Sequence, residues 1–149
     1  MKPIRFRAWD KRKKEMGKVV AMDWDCYDNI ITAHIEYYDG KVRKVYPNDD
    51  YGDEIVFMQD TGLKDKSGRK IFEGDIIEIT GTYKPGRYEV IWDDYRVAWW
   101  GNNIKVRDRE YHDDYFQLLG AWQKDITEVI GNIYEKFGQL DLLEVRVWD

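Results

Sequence analysis

The parts of this sequence that could do chemistry are a run of spaced carboxylates, one thiol, a glycine-bounded loop and two basic-aromatic stretches. Asp23-Trp24-Asp25-Cys26-Tyr27-Asp28 spaces its acids as calcium ligands are spaced. An EF-hand loop also needs Gly at its sixth position and a bidentate Glu at its twelfth. Counted from Asp23, those places hold Asp28 and His34, so the stretch reads as a solvated acidic turn. The segment from Gly62 to Arg69 has the outline of a phosphate loop, but five residues separate its glycines where a Walker A loop has four. Arg69-Lys70 then replaces the required Lys-Ser/Thr, and no evident helix follows to lend its dipole, so a β-turn is the better reading. His112-Asp113-Asp114 with Cys26 and His34 gives no metal-ligand spacing. Cys26 has no neighbouring base in sequence to activate it, and Ser67, the only serine, lacks a Gly-x-Ser-x-Gly frame. Neither catalytic residues nor a cofactor site can be assigned on this evidence. A carboxylate acid–base pair stays open as the third reading, because nothing singles out two acids among 29.

Nucleic-acid contact has more physical content. Arg5, Arg7 and Trp9 share one face of the first strand, where cations and a ring can meet phosphate and base. Arg96, Trp99, Trp100, Lys105 and Arg107 form a second basic-aromatic stretch. Against both stand the acids between them, Asp93, Asp94, Asp108 and Glu110, and the alternative that these tryptophans fill the core or lie beneath their arginines.

Charge sharpens the question. The whole chain of 149 residues is at −5, yet residues 1–18 carry eight cations against Asp10 and Glu15, or +6, leaving −11 for the rest. Polyphosphate is repelled by the whole and attracted by the first strand and turn. The bland alternative lays this basic segment across the acidic body. One cysteine excludes an internal disulfide and fits a reducing compartment, and the sequence begins without a signal-like apolar run. The expectation is therefore a cytoplasmic protein with no membrane partner.

The elements that would position these residues are read from alternation. Ile4, Phe6 and Ala8 face one way on the first strand; Asp10 to Lys14 turns; a strand near Gly17–Met22 follows. Ile31, Ala33, Ile35 and Tyr37 alternate with polar residues, and Asp39-Gly40 then predicts a hairpin with a strand containing Val42 and Val45. Residues 47–54 are the best boundary. Beyond it come a buried strand at Ile55–Met58, a turn at Asp65–Gly68, and a strand at Ile76–Ile79 introduced by Gly74-Asp75. Strands at Tyr88–Trp92 and Arg96–Trp100 and a strand from Thr127 covered on both faces complete the set, with Val129 and Ile133 predicted together against Ile130 and Tyr134. A helical turn or two is expected within 112–123 and another within 135–143, and Leu143, Val145 and Val147 predict a last strand.

Four stretches, in order, resemble the YopX family of phage and prophage proteins. They are Phe6-Arg7-Ala8-Trp9-Asp10, the run from Met58 to Gly68, Ile71-Phe72-Glu73-Gly74-Asp75-Ile76, and the run from Glu128 to Glu135. Asp60 stands where the family more usually has an aromatic, and Lys136-Phe137 replaces its usual Asn-Pro. The resemblance implies a mainly β fold with an SH3-like barrel and carries no activity with it. Gly62, Gly68 and Gly74 are expected in backbone conformations that other residues resist.

The combined expectation is mainly β with little helix: an N-terminal strand-and-hairpin region at 1–54, packed on a small SH3-like β-barrel at 55–137, and a C-terminal extension at 138–149. The function expected is that of a phage accessory protein binding a host or phage protein, or itself through the C-terminal strand. Nucleic-acid binding is the runner-up.

Overall fold

A computed structural model describes residues 4–47, 52–81, 85–104, 115–117 and 125–135, and it forms eleven strands with no α-helix among them. The chain divides into two compact units between Gln59 and Asp60, inside one long strand.

In the first unit, β1 (Phe6–Asp10), β2 (Glu15–Trp24), β3 (Ile30–Glu36) and β4 (Val42–Val45) form successive antiparallel hairpins. The first half of β5 (Ile55–Lys64) pairs with the free side of β1, giving the order β4-β3-β2-β1-β5. Alternation puts Ala8, Ala33, Ile35, Tyr37 and Val45 into one core, with Val19, Met22, Ile55 and Phe57 at its margin. Gly17 lies under that core because a Cβ there would collide with the Ile35 side chain. Val20 is the extra residue of a bulge between the pairs Val19–Ile35 and Ala21–His34. The bulge rephases β2, so that Met22 rather than Ala21 turns inward.

The Asp39-Gly40 hairpin forms as the sequence predicts. Gly40 has φ 79°, its amide donates to the Tyr37 carbonyl, and the Asp39 carboxylate accepts from the Lys41 amide. The expected strand at Ile55–Met58 is present but longer, and only Met58 of those four residues is fully buried.

In the second unit, the rest of β5 pairs with β6 (Lys70–Phe72). A five-stranded antiparallel sheet follows in the order β10-β9-β8-β7-β11, from β7 (Asp75–Ile79), β8 (Gly86–Asp93), β9 (Ala98–Asn103), β10 (Tyr115–Gln117) and β11 (Thr127–Asn132). No pairing among the described residues closes this sheet into a barrel.

β7 is buried on both faces. Ile77 and Ile79 join Ile71, Tyr88, Val90 and Val129 in one cluster, while Ile76 packs with Ile104 in another. Gly101 lets β9 approach β8, since a Cβ there would stand 2.9 Å from Tyr88 Cβ. Gly62, Gly68 and Gly74 have φ of 78°, 80° and 81°, the left-handed conformation expected of them.

Three local expectations change. The turn between β8 and β9 takes in Arg96 and Val97, because pairing begins only at Asp93–Ala98 and the Asp93 carboxylate holds the Arg96 amide. Tyr115–Gln117, inside the stretch expected to be helical, is a strand that extends the β9 edge at Asn102–Trp100. A bulge between Val129 and Gly131 shifts the phase of β11, so Ile133 packs with Ile130 on the Ile76 side and not with Val129. Both faces of β11 are nevertheless covered. The expected helical turn in 135–143 and the final strand lie outside the described residues, as does His112-Asp113-Asp114.

Candidate functional site

The acids of this chain go first to its turns. Asp25 accepts hydrogen bonds from the Tyr27 and Asn29 amides and the Asn29 side chain, and Asp23 accepts from the Thr32 hydroxyl at 2.7 Å. The Asn29 side chain, then the two amides, hold the Asp25 carboxyl below its ordinary range. Asp75 accepts from the Phe72 amide. Among the described residues no group of three or more His, Cys, Asp or Glu could hold a metal ion.

Two buried carboxylates do more than cap. Asp10 takes the Arg12 and Lys13 amides on Oδ1 and the Tyr37 hydroxyl on Oδ2, the last at 2.7 Å. Burial, then that bond to a carboxylate, pushes the Tyr37 phenol above its usual range. Asp65, 1% exposed, takes the Ser67 and Arg69 amides on Oδ1 and the Val129 amide of β11 on Oδ2. Beside it the Lys66 amide donates to the Thr127 carbonyl, and Lys66 pairs with Glu128 at 3.1 Å. The loop that resembled a phosphate cradle is a β-turn that ties β11 in place. Its Asp65 carboxylate faces inward, toward its own amides, while Lys64, Lys66 and Arg69 are exposed.

The basic-aromatic residues separate. Arg5 precedes β1 and is exposed, whereas Arg7 and Trp9 are half-buried on the β1 face that also carries Met58 and Val56. On the β8–β9 hairpin, Trp99 turns to the core of Tyr88 and Val90, and Trp100 points to the other face. The Arg96 guanidinium lies 4.6 Å from the centre of the Trp100 ring and pairs with Asp93 at 2.6 Å. The Arg96 amide, then its guanidinium, hold the Asp93 carboxyl below its ordinary range. Lys105 and Arg107 lie outside the described residues.

The tip of this same hairpin is what reading the sequence overlooked. Tyr95 is 94% exposed and Val97 70%, and Trp92 is 40% exposed with its ring edge-on to Trp99 at 5.1 Å. Val97 has φ 52°, a left-handed conformation that costs a β-branched residue of order 1–3 kcal/mol. Asp93 closes the turn from behind and Arg96 stacks over one side, so Tyr95 and Val97 project while their base is fixed. The signal was present in Asp93-Asp94-Tyr95-Arg96-Val97: a Tyr directly after two turn-forming acids, and a Val that alternation assigned to the following strand. A rigid turn presenting a ring and a branched aliphatic group can bury them against a partner, and holds no group placed for bond-breaking.

A second exposed feature lies in the first unit. Lys11, Arg12, Lys13 and Lys14 make the β1–β2 turn, are all exposed, and form no ion pair among the described residues. Lys13 Nζ rests 3.9 Å from the centre of the Tyr37 ring, and Lys14 has φ 53°.

Comparison with known proteins follows the same outline. The family model described as YopX protein matches residues 5–141. The crystal structure of protein EF1440 from Enterococcus faecalis is similar at a TM-score of 0.55 and 28% identity, covering 91% of this chain and 96% of that one. No protein with a curated description matches the chain.

Proposed function

The chain belongs to the YopX family, and we propose that it is a phage or prophage accessory protein that acts by binding a host or phage protein, with no chemistry of its own. The observation that carries this reading is the β8–β9 tip, where Tyr95 and Val97 stand in solvent on a turn whose backbone is strained at Val97. Strain of this kind persists where surrounding structure fixes it, and it clusters at sites of function. Tyr, Trp and Arg are the usual anchors of a protein interface, and the tip carries Tyr95 beside Trp92 and Arg96. Asp10, Asp25, Asp65 and Asp93 are each tied to at least two hydrogen-bond donors of their own turns, which leaves them committed to structure and not to acid–base work.

We read the β7–β9 and β11 sheet as the framework of the SH3-like barrel that the family resemblance implies, with the tip as its working end. The protein works in the cytoplasm of the bacterial host, and self-association through residues 138–149 is a second route. The test is affinity capture of the tagged protein from phage-infected host lysate, split into nuclease-treated and untreated halves. One specific protein retained equally in both supports the reading. Failure to retain any specific protein after nuclease treatment overturns it.

A further inference from the structure

The β1–β2 turn has a charge pattern that protein binding at the other tip does not explain. Four consecutive cations, Lys11 to Lys14, are exposed with no ion pair among the described residues, and Lys13 Nζ lies over the Tyr37 ring. The acids closest in sequence are held back. Asp10 is buried against the Tyr37 hydroxyl and the amides of the turn, and Glu15 accepts the Tyr38 amide at 2.7 Å. These carboxylates are pinned to backbone and phenol, and Lys11, Arg12 and Lys14 are left to reach outward. Of the acids the fold brings close, exposed Glu54 borders the turn, its carbonyl accepting the Lys11 amide at 3.0 Å, and makes no ion pair with it among the described residues. Exposed charges beyond about 8–10 Å are screened. The neighbouring β3–β4 turn adds a ring: Tyr38 is 97% exposed, and its amide bond to Glu15 sets it beside the cationic turn.

We infer that this turn, Lys11 to Lys14 with Tyr38, is a contact site for single-stranded nucleic acid, the cations taking backbone phosphates and Tyr38 stacking on a base. The ring decides for this occupant over an acidic peptide, since lysine and arginine take phosphate and carboxylate alike. A fully exposed ring beside cations suits a base, because stacking on aromatics is how sequence-tolerant binders hold single strands. The site is distinct from the strand faces of Arg7, Trp9, Trp99 and Trp100, which are half-buried. It does not depend on the proposed protein partner.

The test is fluorescence anisotropy of a labelled 20-nucleotide oligothymidylate with purified full-length protein at several salt concentrations, so no lysate partner is involved. Wild type should bind with a log–log salt slope of about −2 to −3, from roughly −0.7 per phosphate neutralised. Replacing the four cations together (K11Q/R12Q/K13Q/K14Q) should weaken binding at least tenfold at low salt and flatten the slope. Tyr38→Ala, which removes a side chain that packs on nothing, should weaken it roughly fivefold or more while leaving the slope in place. Lys64→Gln, an exposed cation elsewhere, should change neither. No oligonucleotide binding at low salt would overturn the inference, as would equal affinity of wild type and the fourfold variant. Binding of polyglutamate through the same residues without oligothymidylate binding would overturn it too, in favour of an acidic protein segment.

Discussion

Asp10 and Asp65 hold equivalent posts in the two units and use them differently. Each is buried, each caps its turn with Oδ1, and each reaches away from it with Oδ2. Asp10 reaches a phenol, a side chain that substitution can remove. Asp65 reaches the Val129 amide, a backbone group 64 residues away that no substitution other than proline can delete. A buried amide without an acceptor bears its full desolvation cost, whereas a missing hydroxyl leaves an apolar ring behind. The second unit should therefore depend on its carboxylate more heavily than the first.

The largest expected effect follows from that difference. Asp65→Ala removes the acceptor of three backbone amides and should cost about 3–5 kcal/mol in urea unfolding monitored by tryptophan fluorescence. Asp10→Ala should cost less, about 2–3 kcal/mol, because water can reach the amides of its exposed turn. Equal losses would remove the contrast. Next come the glycines under the two cores. Gly17→Ala meets Ile35 and the Glu36 carbonyl, and Gly101→Ala meets Tyr88 Cβ, so each should cost about 1–3 kcal/mol in the same assay.

Tyr37→Phe sharpens the contrast from the other side, at about 1–2 kcal/mol. Its pH dependence has a definite sign. The folded-state pKa of Tyr37 lies above its ordinary value of 10.0, so its contribution is complete below pH 10 and declines as pH rises beyond it. Stability measured from pH 8 to 11 should thus fall more steeply in wild type than in Tyr37→Phe. Parallel curves would show that folding does not raise the phenol's pKa. The smallest effect is at the strained turns. Lys14→Gly and Val97→Gly each relieve a left-handed φ and should add up to about 1 kcal/mol.

How much of this could be read in advance depends on whether the cause is local. The Asp39-Gly40 hairpin and the turn at Asp65–Gly68 were legible because turn chemistry lies in adjacent residues. Asp65 as a tie to β11 was not, since nothing near residue 65 identifies Val129. Alternation located β11 but misassigned Ile133, because a bulge changes the phase without changing composition. The same limit hid the tip. Arg96 and Val97 continue the alternation of β9, and only the Asp93 bond to the Arg96 amide shows that the turn includes them. The cationic turn was visible as charge, but its lack of ion pairing emerged only when Asp10 and Glu15 were found bound elsewhere.

The proposal that this protein works by presenting the β8–β9 tip to a protein partner is tested most directly by repeating the nuclease-treated capture with Tyr95→Ser/Val97→Gly beside wild type. Both side chains are exposed and Val97→Gly relieves strain, so the variant should fold at least as stably as wild type. The account predicts that the specific partner is retained by wild type and by Tyr38→Ala, and lost from the tip variant. Equal retention of that partner by the tip variant would contradict it.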